Sequence, residues 1–432
     1  MKKFLSVLIF LSVLLGTLGL TTTIAQEKVA ITIAVQSHTS LNALAELFDE
    51  FTAETGIEVI MDQSPQDQLS QKILLDLGSG TGAYDIIGIH EIWLGSYADS
   101  GWLAPMDEYI ATEKANNPDF DYADFASPEA FNYNGVQYGL PLYNEAHMLF
   151  YNKEIFEQAG LPDRAPENWT ELEEFAKIIE EKTDKVGIAM RGVSDNRAII
   201  YTWNIFAYSN GWEGWFKEDG RANFNDPAAI EAAEFYCHLL NTYGPEGVGS
   251  YNWTEVQTLM QQGQVGIIID ASNFGARLEN PESSTISGKI GYGTVPKSDK
   301  TEEARPGVLS YGLYIPAASK HKDEAWQFLV WALSKDTQLK TALIGTREDV
   351  TRKSVILQPE YVEKYGIGNY LEMKSASFEI GRKHYPCIVP FEEVSHEVSV
   401  TLNTLLTQGG DAAALFSSLN DRIDAIMEEN GF

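Results

Sequence analysis

Cysteine is nearly absent from the 432-residue sequence, which holds only Cys237 and Cys387. No CxxC pair exists, so the usual structural zinc and iron–sulfur arrangements are excluded. One disulfide is the most that could form, and the sequence alone does not show whether the two meet. Positive charge is scarce as well: Lys and Arg total 31 against 62 Asp and Glu, a formal charge of −31. From Val29 to Gln71 there are seven acids and no Lys or Arg. Such a surface repels phosphate backbones and anionic lipid, so neither nucleic acid nor membrane is expected as a partner. Catalytic signatures are missing too. His90-Glu91 and His396-Glu397 begin like a zinc-protease motif, but Leu94 and Val400 stand where its second histidine belongs. There is no GxSxG elbow and no GxxxxGK[ST] loop. The glycines of "GSGTG" at 78–82 lie at a helix end and read as a turn. Acid pairs for glycoside hydrolysis carry no signal, because so many acids offer countless pairs and the spacing that matters is spatial.

Long apolar runs are absent beyond the first. Lys2 and Lys3, the apolar Phe4 to Leu20 and Thr23-Ile24-Ala25 read as a secretory signal peptide over 1–25, with cleavage expected after Ala25; a retained anchor helix is the alternative. Losing the two lysines takes the charge from −31 to −33. No cysteine follows the apolar run, which excludes a bacterial lipid anchor. A periplasmic or extracellular protein is expected.

What remains is an alternation of strands and helices. "VAITIAV", "IEVIM" and "YDIIGI" read as strands. Between them run helices, one over "SLNALAELFDEFTAETG" and one over "QDQLSQKILLDLGSG". Strands separated by helices of this length predict right-handed crossovers and a parallel sheet covered on both faces. The middle of the chain repeats the logic. Thr170-x-x-Glu173 reads as a capping box, "VGIAM" as a strand, Asp226-Pro227 as a helix start, Thr254-x-x-Gln257 as another, and "VGIIID" as a buried strand. "MLFYNKEIFEQAGL" reads as a strand, an Asn152 cap, a helix and a Gly160 stop. No repeat or flexible linker appears, so the α/β class is expected as two lobes joined by ordinary strands.

Aromatic residues gather beside strands: Trp93 after "YDIIGIH", Tyr143 before "MLFY", Trp203 after "VGIAM", Trp253 before a capped helix and Phe274 after "VGIIID". Each alone fits a core position. As a group they stand where open parallel sheets bind ligands.

With those positions in hand, the chain resembles extracellular solute-binding proteins of the carbohydrate-uptake class, the family that includes the maltose-binding protein. The resemblance spans nearly the whole chain after the leader. It is carried by "YDIIGIHEIWLGSYADSGWLAPMDEYI", "YGLPLYNEAHMLFYNKEIFEQAGL", "PENWTELEEFAKII", "FNDPAAIEAAEFYCHLL", "MQQGQVGIIID" and "GVLSYGLYIPAASKHKDEAWQFLVWAL" in that order. It implies two discontinuous α/β lobes, 26–141 with 309–343 and 142–308 with 344–432, joined by crossings near 139–145, 304–311 and 343–348. It further implies a monomer that delivers a sugar or sugar alcohol to an ABC permease, with no cofactor. Carboxylates, amides, imidazoles and a guanidinium suit hydroxyl edges, and the candidates are His38, His90, Glu91, Glu145, Arg197, Asp270 and Asn273. Rings suit sugar faces, and the candidates are Trp93, Tyr143, Trp203, Trp253 and Tyr311. Arg347 departs from the family's proline-containing turn; it is expected to touch ligand, to pair with Glu348, or to do neither. A polyamine carrier, a chemotaxis ligand carrier and, from another class, a secreted glycosidase are the competing readings.

Overall fold

The computed structural model describes residues 29–432, so the expected signal peptide lies outside the described residues. The strands are β1 (Ala30–Gln36), β2 (Glu58–Ser64), β3 (Ile86–His90), β4 (Asn132–Tyr133), β5 (Val136–Gln137), β6 (Gly139–Asn152), β7 (Val186–Ala189), β8 (Val265–Ala271), β9 (Ile290–Gly293), β10 (Gly307–Tyr314) and β11 (Arg382–Lys383). In the main sheet the order is β2-β1-β3-β10-β6-β8-β7, with β9 paired to β6 and β11 to β10; β4 and β5 form a hairpin of their own.

Parallel pairing, as expected, joins β1 to β2, β1 to β3 and β7 to β8. The centre departs from it. β10 runs antiparallel to both β3 and β6, and β6 runs antiparallel to β8 and β9. The reason is β6 itself, a 14-residue strand with every residue buried. Its first half, Gly139 to Ala146, pairs with β10, and its second half, His147 to Asn152, pairs with β8 and β9. One strand therefore belongs to two lobes. In the first lobe Ile31, Val35, Phe51, Leu313 and Phe328 share a core. In the second, Phe150, Ile179, Trp203, Tyr236, Ile267 and Leu402 do.

A bulge interrupts the β6–β10 ladder, because Tyr311 pairs with Tyr143 while Gly312 pairs with Pro141. Leu142 is the extra residue, and an extra residue leaves its peptide without a ladder partner. Arg347 repairs this: its Nη2 donates to the Leu142 carbonyl at 2.9 Å and its Nη1 to Thr341 Oγ1 at 3.0 Å. Thr351 Oγ1 donates to the Pro141 carbonyl at 2.8 Å. The segment after the Lys335–Ile344 helix is thus bolted to the crossing strand.

Local signals mostly behave as their chemistry dictates. Asn152 Oδ1 accepts from the Glu154 and Ile155 amides, and the helix Lys153–Ala159 stops at Gly160, whose φ is 74°. Asp226 caps Pro227–Tyr243. Two capping boxes are misplaced by two residues. Asn168, not Thr170, caps Trp169–Lys182, and Asn252 with Glu255, not Thr254, starts Trp253–Gln261. Asparagine outranks threonine at this position. The single helix expected over 40–55 is two, Thr39–Ala45 and Phe48–Thr55. Both cysteines are free thiols.

Candidate functional site

A cavity of about 460 Å³ lies between the lobes. Gln36, His38 and His90 come to it from the ends of β1 and β3, Tyr143 and Glu145 from β6, and Leu309 from β10. The facing wall carries Arg191 just past β7, Tyr201, Trp253, and Asn273 and Arg277 past β8.

Its floor is a stack of rings. Tyr143 lies parallel to His38 at 4.7 Å on one side and to Tyr311 at 4.8 Å on the other. His90 stands edge-on to Tyr311 at 4.9 Å. Gln36 Nε2 donates to the Tyr143 hydroxyl. Above this floor Glu145 accepts from Tyr201 Oη at 2.9 Å and from Asn273 Nδ2 at 3.2 Å. Arg191 forms a forked ion pair with Asp270, with Nε donating to Oδ2 at 2.9 Å, and its guanidinium lies 3.7 Å over the Tyr201 ring. A forked pair cancels charge and fixes geometry together.

Burial sets the protonation states. It pushes the Glu145 carboxyl up, against the pull of Arg191 and the Tyr201 hydroxyl. Burial, with Arg197 nearby, holds His90 down to about 3, although a hydrogen bond to the Ser310 backbone pulls the other way. Burial and the Arg277 charge hold His38 well below its ordinary value. Both rings are neutral at neutral pH. A guanidinium can only donate, so His38 Nε2 accepts from Arg277 Nη2 at 2.6 Å, while the Ser40 amide approaches Nδ1 at 3.3 Å.

Two polar atoms on these walls are buried without a partner: His90 Nδ1 and Asn273 Oδ1. Asn273 Oδ1 is an acceptor, and His90 Nδ1 donates or accepts according to the ring's tautomer. Buried polar atoms left without a partner are rare and costly. The cavity is therefore short of hydrogen-bond partners.

The lobes touch across it. Arg277 of the second lobe meets His38 of the first at 2.6 Å. Arg197 from the second lobe lies 4.9 Å over the Trp93 ring of the first. Glu392 receives both Arg197 Nη1, at 2.9 Å, and Trp93 Nε1. Arg197 makes this reach from a left-handed backbone, φ 61°, a conformation that stores strain.

Of the residues expected from sequence, His38, His90, Tyr143, Glu145, Arg197, Trp253 and Asn273 meet at the cavity. The others are corrected by their placement. Glu91 points to the reverse side of the sheet, where its Oε2 accepts from the Ser310 amide at 2.9 Å. Trp93 is buried beneath Arg197. Trp203 has no exposure and packs on Trp212 and Phe416. Asp270 stands behind Arg191, wholly buried. Tyr311 lies beneath Tyr143, its hydroxyl donating to the Gly88 carbonyl. Arg347 holds the bulge; its nearest carboxylate is Asp349, at 3.8 Å, and Glu348 pairs with Lys374 instead. Gln36, Arg191, Tyr201 and Arg277 were missed. The strand-end rule applied to the aromatics would have found Gln36 and Arg191, which end or follow "VAITIAVQ" and "VGIAM".

Comparison with known proteins agrees with this architecture. A profile described as bacterial extracellular solute-binding protein matches residues 36–339. A mannitol-binding protein of Pseudomonas aeruginosa is 28% identical over 416 residues, covering 91% of this chain and 89% of its own. A solute-binding protein of Agrobacterium vitis, solved with bound D-mannitol, superposes with a TM-score of 0.81 at 25% identity, covering 93% of this chain and 99% of its own. Maltose-bound T. maritima MalE3 superposes with a TM-score of 0.83 at 21% identity, over 92% and 100%. Among the described residues no helix is long and apolar enough to cross a membrane. With a cleft between two lobes that share a strand, and with a profile match over most of its length, this chain belongs to the bacterial extracellular solute-binding proteins.

Proposed function

We propose that the protein captures a neutral, polyhydroxylated solute, a sugar alcohol or a small sugar, and delivers it outside the cytoplasmic membrane to an ABC permease. The observation that carries this is a pair of buried polar atoms without a partner among the described residues, His90 Nδ1 and Asn273 Oδ1, on side chains that line the same cavity as Glu145. A hydroxyl group both donates and accepts and so can partner either atom, and the Tyr143 and Trp253 rings suit C–H faces. The relatives that bind mannitol support a polyol.

Asp270 pairs with Arg191 and Glu392 with Arg197, while Glu145, Asp195 and Arg277 share the walls. Amines therefore stand in the test beside polyols and sugars. The cavity, about 460 Å³ with the lobes in contact, lies low in the ~300–1,000 Å³ range of small-molecule sites. That size suits a hexitol or a one- to two-ring sugar rather than a long oligosaccharide.

Capture follows from the shared strand. Only when the lobes meet do His38 and His90 face Asn273 and Trp253, so a ligand that bonds both walls shifts the population toward the closed form. No bond is broken and no general base is required. The test is a thermal-shift and calorimetry screen of polyols, mono-, di- and trisaccharides, amines and chromogenic glycosides. Stoichiometric heat with a polyol or small sugar and no product from the glycosides is the expected result. Binding of amines alone, or turnover, would overturn the reading.

A further inference from the structure

The crossing strands have a second face. On β6, Tyr143 and Glu145 look into the cleft while Asn144 looks away; on β10, Leu309 does the former, Val308 and Ser310 the latter. Behind them lies another cavity, larger than the cleft at about 840 Å³. Its lining is apolar, with Val308, Val350, Tyr361, Leu371 and Phe378 contributing. At its mouth Leu357 is 76% exposed, Val362 44% and Ile356 40%. Large aliphatic side chains clustered in water at the lip of a cavity mark a surface that something covers.

The charges there run against the rest of the molecule. In a chain with twice as many acids as bases, Lys353, Arg382 and Lys383 all line this cavity. None of the three has a carboxylate within 4.0 Å among the described residues. Lys353 Nζ donates to the Ala123 carbonyl, and Arg382 donates to the Glu213 carbonyl while lying 4.0 Å over the Tyr208 ring. Lys374, by contrast, is already tied to Glu348. Of the two acids at the cavity, Glu129 is exposed at the edge. The Glu91 carboxyl is pushed up to about 8 by burial and is mostly uncharged at neutral pH. Inside, Asn144 Oδ1 is buried without a partner.

We propose that this rear cavity is a second binding site, taking an amphipathic anion: a medium-chain carboxylate whose chain fills the apolar lining and whose headgroup meets Lys353, Arg382 and Lys383. Arginine and lysine recognise carboxylate by charge-assisted hydrogen bonds. The cavity volume falls within the ~300–1,000 Å³ typical of sites for molecules of that size.

The test is calorimetric titration of the full chain with octanoate, octanol and octylammonium at low salt. Saturable one-to-one binding of octanoate is expected, with octanol and octylammonium weaker by about tenfold or more. The K353Q/R382Q/K383Q variant should lose about tenfold in octanoate affinity, and Leu371→Trp, which fills the cavity, should abolish binding. Octanoate binding should be unchanged in Glu145→Gln, whose substitution lies in the cleft, so this result stands apart from any result with sugars. No saturable octanoate binding, equal binding of octanoate and octanol, an unchanged charge variant, or loss of binding in Glu145→Gln would each overturn the proposal.

Discussion

On the wall supplied by the first lobe the polar groups are neutral: the Gln36 amide and the His38 and His90 imidazoles, held uncharged by burial. The wall supplied by the second lobe is ionic and cross-braced, with Asp270 gripping Arg191, Arg191 covering Tyr201, and Tyr201 and Asn273 holding Glu145. The second wall is held by ion pairs and by bonds to a carboxylate, the first by ring stacking and the Gln36–Tyr143 bond. On the proposed capture reading, a guest would meet charged, braced groups on one side and neutral ones on the other.

The strongest way to break this contrast is Asp270→Ala. It strands the Arg191 charge in the interior, and breaking a buried pair costs about 3–5 kcal/mol. Urea unfolding should show that loss, with ligand binding lost alongside. If stability hardly changes, the second wall is not braced as described.

Glu145→Gln sharpens the same point by separating affinity from stability. Hydrogen bonds to a charged group contribute about 1.5–3 kcal/mol, so affinity for the hydroxylated ligand should fall about tenfold to a hundredfold. Burial raises the Glu145 pKa, so its ionised form weighs against the fold at neutral pH. The unliganded melting temperature should therefore hold or rise; a drop would make Glu145 a structural group.

His147 tests the cost of burying imidazole, since burial holds it to about 3 with Nδ1 against the Gly307 carbonyl. Its folded pKa lies below the unfolded value of 6.5, so the unfolded state binds the extra proton. Stability is complete above pH 6.5 and falls as pH drops toward 3, by about 1.4 kcal/mol per pH unit for each such histidine. His90 should act in the same direction. Urea unfolding between pH 8 and pH 5 measures the slope, and His147→Phe should flatten it by one proton.

The smallest effect is expected from Trp253→Ala. The ring is 38% exposed, so unliganded stability should move by less than about 1 kcal/mol. Ligand affinity should fall about threefold to tenfold, as for loss of a ring contact of about 0.5–1.5 kcal/mol. Calorimetry on both proteins decides.

Strands and helices were legible because period and punctuation carry them: β1, β3 and β8 stand where the apolar runs are, and Asn152 and Asp226 cap where they should. Antiparallel β10 was not legible, since its partners lie far away in sequence and pairing direction leaves no local trace. Glu145, Asn273 and Trp253 were found by strand-end position together with family order. Trp203 was misjudged although the signal against it was present. "AIIYTWNIFAYS" is apolar around its whole circumference, the mark of a helix buried on all sides, and all of Ala198–Ser209 is buried. Arg347 was misjudged because a bulge is a property of pairing, visible only once β6 and β10 are side by side.

That bulge has a consequence for how this gene tolerates length change. Side chains alternate along β6, so inserting or deleting one residue between Gly139 and Ala146 would turn Glu145's place outward and bring a rear-facing group to the front. Point substitutions there should erode performance by degrees, whereas a single-codon indel should invert the whole surface at once. Leu142, with its carbonyl clasped by a side chain 205 positions downstream, is the place where the count is kept.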